Sequence, residues 1–325
     1  IDPLAIFSCN AFLSDSLFVL LLTASFFYLA RFLLAERSRD LYIAAVLLAL
    51  AAHVRPVGLY LLFILAVALA FHFYKQGRIR EWAVFSLIFL MLIAPWVIRN
   101  KIQHRHFFFS ISGDYNALIL YAAPLYAREQ GLPREKVKNV LEEKMSLKYA
   151  LLKNKDPYAF YQQYRSTAIK IIMNAPFAFL KQSIKGAAKM FFGLGRETIL
   201  NALHIKEPKI RLFNNLFEIG LIQTIAHQFK SFSFTTIAYL LFAGSLVMTE
   251  YVLAVKGLTV FFKVPAPNLI FPLCLLLPIL FFSAVGMPIG FLRFKLTVIP
   301  FYLILTGKAL SRPGVIWKQD RKSVK

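Results

Sequence analysis

Apolar residues fall into seven long runs, at about 13–34, 41–54, 57–74, 82–98, 232–254, 267–285 and 291–310, each bounded by charged or turn-forming residues. A helix needs about 20 apolar residues to cross roughly 30 Å of hydrocarbon, and shorter runs serve when they sit inside a bundle. The pattern therefore predicts an all-α, polytopic integral membrane protein with about seven transmembrane segments. The second and third runs meet at VRPVG. Proline weakens a helix interior and disfavours the helical region for the residue before it, so Arg55-Pro56, at the middle of an overlong apolar stretch, predicts a tight helical hairpin rather than one span.

The stretch between the fourth and fifth runs has a different rhythm. In KDPYAFYQQYRSTAIKIIM, Asp156 stands at an N-cap and Pro157 at the first helical position. In NAPFAFLKQSIKGAAKMFFGLG, Phe177, Leu180, Ile184, Ala187, Ala188 and Phe191 share one helical face, flanked by Lys181, Lys185 and Lys189. That predicts an interfacial helix over 176–192, its lysines toward headgroups, although a surface helix on a water-exposed module has a similar pattern. The chain is thus expected to comprise transmembrane helices over 1–98, a helical extracytoplasmic segment over 99–231, transmembrane helices over 232–310 and a basic cytoplasmic tail over 311–325.

Charge sets the orientation. Lys and Arg in AERSRD, KQGRIRE and RPGVIWKQDRKSVK place these segments in the cytoplasm by the positive-inside rule. Residues 99–231 then face outward despite 21 Lys and Arg against 9 Asp and Glu, since long translocated segments are largely exempt from that rule. The formal net charge of +22 would suggest nucleic acid in a soluble chain. In a chain that is 58% hydrophobic and carries no nucleic-acid-binding motif, it points instead to anionic membrane lipids, and no nucleic-acid partner is expected. Two cysteines, Cys9 and Cys274, the second inside an apolar run, give neither a disulfide framework nor a thiolate metal site. The chain begins IDPLAIFSCN, without Met and without a leader pattern, so a truncated N-terminus is expected.

No GxSxG, glycine-rich phosphate loop, HExxH or CxxC is present. The HRH at 104–106 reads as a solvated turn rather than a ligand set. The candidate chemistry lies where polar residues gather at the outward ends of the runs: Asp15, Arg55, Arg99 with Asn100, and Arg293 with Lys295. Any one cation there has the simpler reading of a snorkelling anchor. As a set on the side where the charge rule disfavours cations, they suit a phosphate ester at headgroup level, which guanidinium grips with two parallel donors. Asp114, Tyr115 and Asn116 in SGDYNAL are candidate contacts for sugar hydroxyls or an acceptor, and equally the residues of a turn.

Taken in order, NAFLSDSLFVLLL, LLALAAHVRPVGLYLL, APWVIRNKIQHRHFFFSISGDYNALILYAAP, DPYAFYQQYRSTAIKIIMNAPFAFL and GFLRFKLTVIPFYLILTGKAL resemble the bacterial membrane glycosyltransferases of the GT-C class. Within that class they look like the protein O-mannosyltransferase and aminoarabinose-transferase group. The resemblance implies transfer of a sugar from a polyprenyl-phosphate donor to a glycan, lipid or protein acceptor, at the outward face of the bacterial inner membrane. With the donor phosphate assigned to the outward-end cations Arg55, Arg99, Arg293 and Lys295, the resemblance adds a basic residue at the start of the last helix, matched by Arg293, and a catalytic carboxylate in an outer loop upstream of Ile1. Asp15 then matches an acidic position beside the site rather than the base itself. No cofactor is implied, and a metal, known in some branches, is not expected. A transporter or flippase, a non-catalytic scaffold, and a polymerase or ligase of surface glycans are the alternatives.

The topology is checked by a single cysteine placed at Gly131. It should react with an impermeant maleimide in intact cells, and reaction only after permeabilisation would reverse the orientation.

Overall fold

The computed structural model describes residues 14–193, 234–262, 270–290 and 292–311, and every regular element among them is helical. The first four runs form α1 (Ser14–Ala35), α2 (Ser38–Val54), α3 (Val57–Lys75) and α4 (Ile79–His104). α2 joins α1 through small residues. Its buried face consists mainly of Ala44, Ala45, Leu48, Ala49, Ala51 and Ala52, and Ser25 Oγ on α1 donates to Ala44 O at 2.8 Å. Helices in lipid gain little from burying apolar surface on one another, so close backbone approach and interhelical hydrogen bonds supply the association.

The break between α2 and α3 falls where the proline predicts it. Arg55 is extended, with φ −140° and ψ 116°, and Pro56 opens the next helix. α4 differs from expectation by continuing to His104, beyond the apolar run that ends at 98. Arg99, Asn100 and Lys101 end the apolarity but not the helix, which stops at Arg105 in the left-handed region (φ 62°).

Next come α5 (Ser112–Asn116), a π-helical turn over Ala117–Ala122, α6 (Ala123–Glu129), α7 (Arg134–Lys148), α8 (Ala150–Lys155), α9 (Pro157–Asn174) and α10 (Pro176–Phe192). These elements build a second core from Leu118, Ala122, Val137, Leu141, Phe160 and Tyr164, separate from that of the bundle. α9 starts as its sequence predicts. The Asp156 side chain accepts from Ala159 N at 3.0 Å and Pro157 fills the first turn.

The chain then returns through α11 (Phe234–Phe262), α12 (Ile270–Gly286) and α13 (Leu292–Leu310). α13 packs on α11, α12 and α1, and edge-to-face ring pairs join the layers: Phe26 with Phe301 at 5.0 Å and Phe18 with Phe282 at 5.8 Å. Among the described helices, four are long and apolar enough to cross a membrane: α1, α3, α4 and Leu241–Phe262 of α11. α2 and α12 have 17 residues each, and α13 carries Arg293, Lys295 and Lys308.

The closest approach of the second core's helices to the bundle is at α10. α10 lies against the turn after α12 so closely that a Cβ on Gly186 would fall 1.7 Å from Met287 O. The turn itself depends on Gly290 at φ 65°. Gln182 Nε2, one helical turn away, donates to Pro288 O at 3.0 Å and to Tyr121 O at 3.2 Å, while Tyr121 Oη donates to Val285 O at 3.2 Å.

Gly186→Ala should push α10 off this turn and cost about 1–3 kcal/mol. Thermal unfolding in detergent and a disulfide crosslink between cysteines at 182 and 288 read the effect. Gly307→Ala, where an added Cβ meets nothing within 4 Å, is the matched control and should leave both unchanged.

Candidate functional site

The helix ends that carry Asp15 form one face of the bundle, and most of the candidate residues lie on or beside it. Asp15 occupies the first turn of α1 and is buried; Arg55 ends α2. The Arg55 guanidinium donates to the Asp15 carboxylate and lies over the Phe18 ring at 6.0 Å. Side-chain exposures of 16% and 8% make this a mostly desolvated ion pair rather than two solvated anchors. Asp15 is therefore an acceptor that orients Arg55.

α4 supplies Arg99 and Asn100, and the two have different surroundings. Arg99 is exposed, stacked over the Trp96 ring at 4.8 Å, with Nη1 3.4 Å from Asn100 Oδ1. Asn100 is buried, and its Nδ2 donates to Phe108 O at 2.9 Å. Trp96 Nε1 donates to Phe109 O at 2.9 Å, and the His53 ring packs on Phe109 at 5.4 Å. Together these contacts fasten the 105–110 loop across the ends of α2 and α4. The far side of that loop is held by α9: His106 Nε2 lies 2.7 Å from Asp156 Oδ2, and Tyr158 is stacked between His106 and Phe108 at 4.6 and 4.7 Å. The Ala159 amide first, and His106 after it, hold the Asp156 carboxyl below its ordinary value.

Asp114, Tyr115 and Asn116 lie together on α5, where Tyr115 packs against the second core rather than the bundle. A Cβ on Gly113 would meet Tyr60 Oη at 3.4 Å, which sets α5 beside the start of α3. Asp114 Oδ1 is 3.7 Å from Arg165 Nε. Burial raises the Asp114 carboxyl above its ordinary value while Arg165 draws it back. Tyr115 Oη donates to Glu142 Oε1 at 2.6 Å and its ring stacks on Tyr164 at 5.9 Å. Burial, then the hydrogen bond to Glu142, pushes the Tyr115 phenol up to about 12, and burial first, with Tyr161 and Glu142 after it, does the same at Tyr164. Asn116 closes α5 and is half-buried.

Lys295, in the first turns of α13, is fully buried, with Nζ 5.8 Å from the centroid of Tyr251 on α11. Tyr251 Oη in turn donates to Phe191 O at 2.6 Å. The Arg293 side chain lies outside the described residues. Because α13 is helical from Leu292, positions 293 and 295 are about 200° apart and face different neighbours. Among the described residues no three His, Cys, Asp or Glu side chains gather as metal ligands.

Sequence reasoning missed Glu142, Tyr161, Tyr164 and Arg165, although YAFYQQYR repeats tyrosine at helical spacing and announces the stripe. It also missed Glu250, buried on α11 inside an apolar stretch. Comparisons with protein-family models, with curated proteins and with solved structures find no match.

Arg55→Ala leaves the Asp15 carboxylate buried without its guanidinium and should cost about 3–5 kcal/mol in denaturant unfolding in micelles. Asp15→Asn with Arg55→Gln removes both charges and should cost much less than the two single changes added together. Simple additivity would mean that the pair is not coupled.

Proposed function

We propose that this chain is a membrane glycosyltransferase that moves a sugar from a polyprenyl-phosphate donor to a glycan, lipid or protein acceptor. In this reading α1 to α4 and α11 to α13 are seven spans of the bacterial inner membrane. The elements from α5 to α10 form an extracytoplasmic module above the outer helix ends.

The observation that supports it is that cations stand at the helix ends of one face of a mainly apolar bundle: Arg55 held by Asp15 and Arg99 stacked on Trp96, with Lys295 buried in the first turns of α13. A lipid phosphate at headgroup depth meets that face. Charged donors in a partly dry site stabilise developing negative charge far better than in water. In the reaction, the acceptor oxygen or nitrogen bonds to the anomeric carbon as the carbon–oxygen bond to the lipid phosphate breaks. The electron pair goes to the phosphate, where Arg55, Arg99 and Arg293 stabilise the negative charge, while Lys295 is buried toward Tyr251 and adds its charge from behind; the acceptor proton goes to a carboxylate base. Asp114, with its raised carboxyl, Tyr115 and Asn116 are the groups assigned to sugar or acceptor hydroxyls. Asp15 acts by positioning Arg55.

A second reading has its own support. Glu250 and Lys295 are ionisable groups buried on α11 and α13, as expected along a transport path for a lipid-linked sugar.

One assay separates the two: labelled sugar on polyprenyl phosphate, given to the protein in sealed vesicles. Transfer to an acceptor supports the transferase, and movement across the bilayer without transfer supports a flippase. For the transferase, Arg293→Ala should lower turnover about 30-fold to 1000-fold, equivalent to about 2–4 kcal/mol. Arg293→Lys keeps the charge but loses the paired donors, so its loss should be smaller yet substantial. Wild-type turnover from Arg293→Ala at equal expression would remove that residue from the site.

A further inference from the structure

Outside the spanning helices, one surface of α9 and α10 is unlike the rest of the module. Ile169, Met173, Phe177, Leu180 and Ile184 are 53%, 69%, 85%, 56% and 55% exposed. Within α9 the spacing of four places Ile169 and Met173 on one face, and within α10 the spacing of three and four does so for Phe177, Leu180 and Ile184, so exposed apolar faces flank the break at 174–176 on both sides. The opposite faces are already used. α9 buries Phe160, Tyr164 and Ala168 in the second core, and α10 buries Gly186 and Met190 toward α12 and α13.

Charge along the same two helices is of one sign. From Pro157 to Gly193 there are five Lys and Arg and no Asp or Glu. At the N-terminal end of the stripe a shallow groove of about 390 Å³ is lined by Gln162, Gln163, Arg165, Ser166, Ile169 and Lys170. The surface thus grades from polar and cationic on α9 to apolar across Met173 and Phe177, with exposed Lys181 beside the apolar part. Among the described residues, Asp114 meets it from another element, 3.7 Å from Arg165. α10 rests on the 287–290 turn at the very end of α12, so the stripe lies beside the end of an apolar bundle helix.

We propose that the outward face of α9 and α10 is a docking surface for an anionic phospholipid leaflet, with the Ile169-to-Ile184 stripe among the acyl chains and Lys170 and Lys181 on headgroup phosphates. Five large apolar side chains on these two faces would be an improbable water-facing surface, and a run of cations without acids matches an anionic leaflet. The proposal extends the lipid contact from α10 to α9, so the module is moored along both helices. It does not depend on transfer chemistry.

The test uses the full chain with Cys9 and Cys274 replaced by Ser, reconstituted in nanodiscs of phosphatidylcholine with or without phosphatidylglycerol. Spin labels go on single cysteines at 166, 169, 173, 177, 180 and 184. In discs containing phosphatidylglycerol, labels at 173, 177, 180 and 184 should be open to oxygen and closed to a water-soluble nickel chelate. Their oxygen-to-chelate ratio should be several-fold above that at 166. Lys170→Glu with Lys181→Glu should bring that ratio down to its value in discs of phosphatidylcholine alone, with helical content unchanged by circular dichroism. Chelate access along the whole stripe would overturn the proposal. So would shielding from both reagents, which means that protein covers the stripe. An unchanged ratio in the charge-reversed variant would overturn the anionic preference.

Discussion

The side-chain amide of Gln182 is the tie on which the arrangement of the two cores depends. The last carbonyls of a helix have no partner within it and must find donors elsewhere, most urgently where water is scarce. At the end of α12 and in the turn that follows, Val285 O takes the hydroxyl of Tyr121, and Pro288 O takes Gln182. Because Gln182 also donates to Tyr121 O, one side chain joins α10, the π-helical turn and the bundle. The contact closes only because Gly186 brings the α10 backbone onto Met287 O. The extra width of the π turn belongs to the same device, since it carries Tyr121.

The candidate site inherits its geometry from that tie and from the 105–110 loop. Asn100 and Trp96 hold the loop to the bundle from below, and Asp156 and Tyr158 hold it to α9 from above. Arg99 and Arg55 therefore project from rigid helix ends beneath a fixed roof rather than from a mobile linker. Preorganisation of this kind lets a few charges act strongly, because no reorganisation is spent when a ligand arrives.

Local signals in the sequence were readable and remote ones were not. Pro56, Asp156 with Pro157, and the lengths of the apolar runs act within a turn or two of themselves, so the α2–α3 break, the start of α9 and the bundle helices could be placed from sequence. α10 was equally legible, because its apolar face repeats at helical spacing. The pairing of Asp15 with Arg55 spans 40 residues, and no periodicity reports it. Asn100 reads as a polar residue at a span end yet is buried as a strut, because what decides its role is a carbonyl eight residues on. Lys295 reads as a cation at a helix mouth, whereas its ammonium turns inward to an aromatic ring of α11.

The separation of Asp15 from Arg55 also bears on how the chain is made. At a synthesis rate of about 5–20 residues per second, Arg55 follows Asp15 out of the ribosome by roughly 2–8 s. Through that interval α1 carries the Asp15 carboxylate before the Arg55 guanidinium exists, and a charge in that state resists settling into lipid. α2, with 17 residues, two charges in its first turns and a face of alanine, is a poor candidate to insert alone. The ion pair can form only once both helices have been made, so the hairpin, rather than either helix alone, is the smallest piece of chain that carries the counter-ion for Asp15.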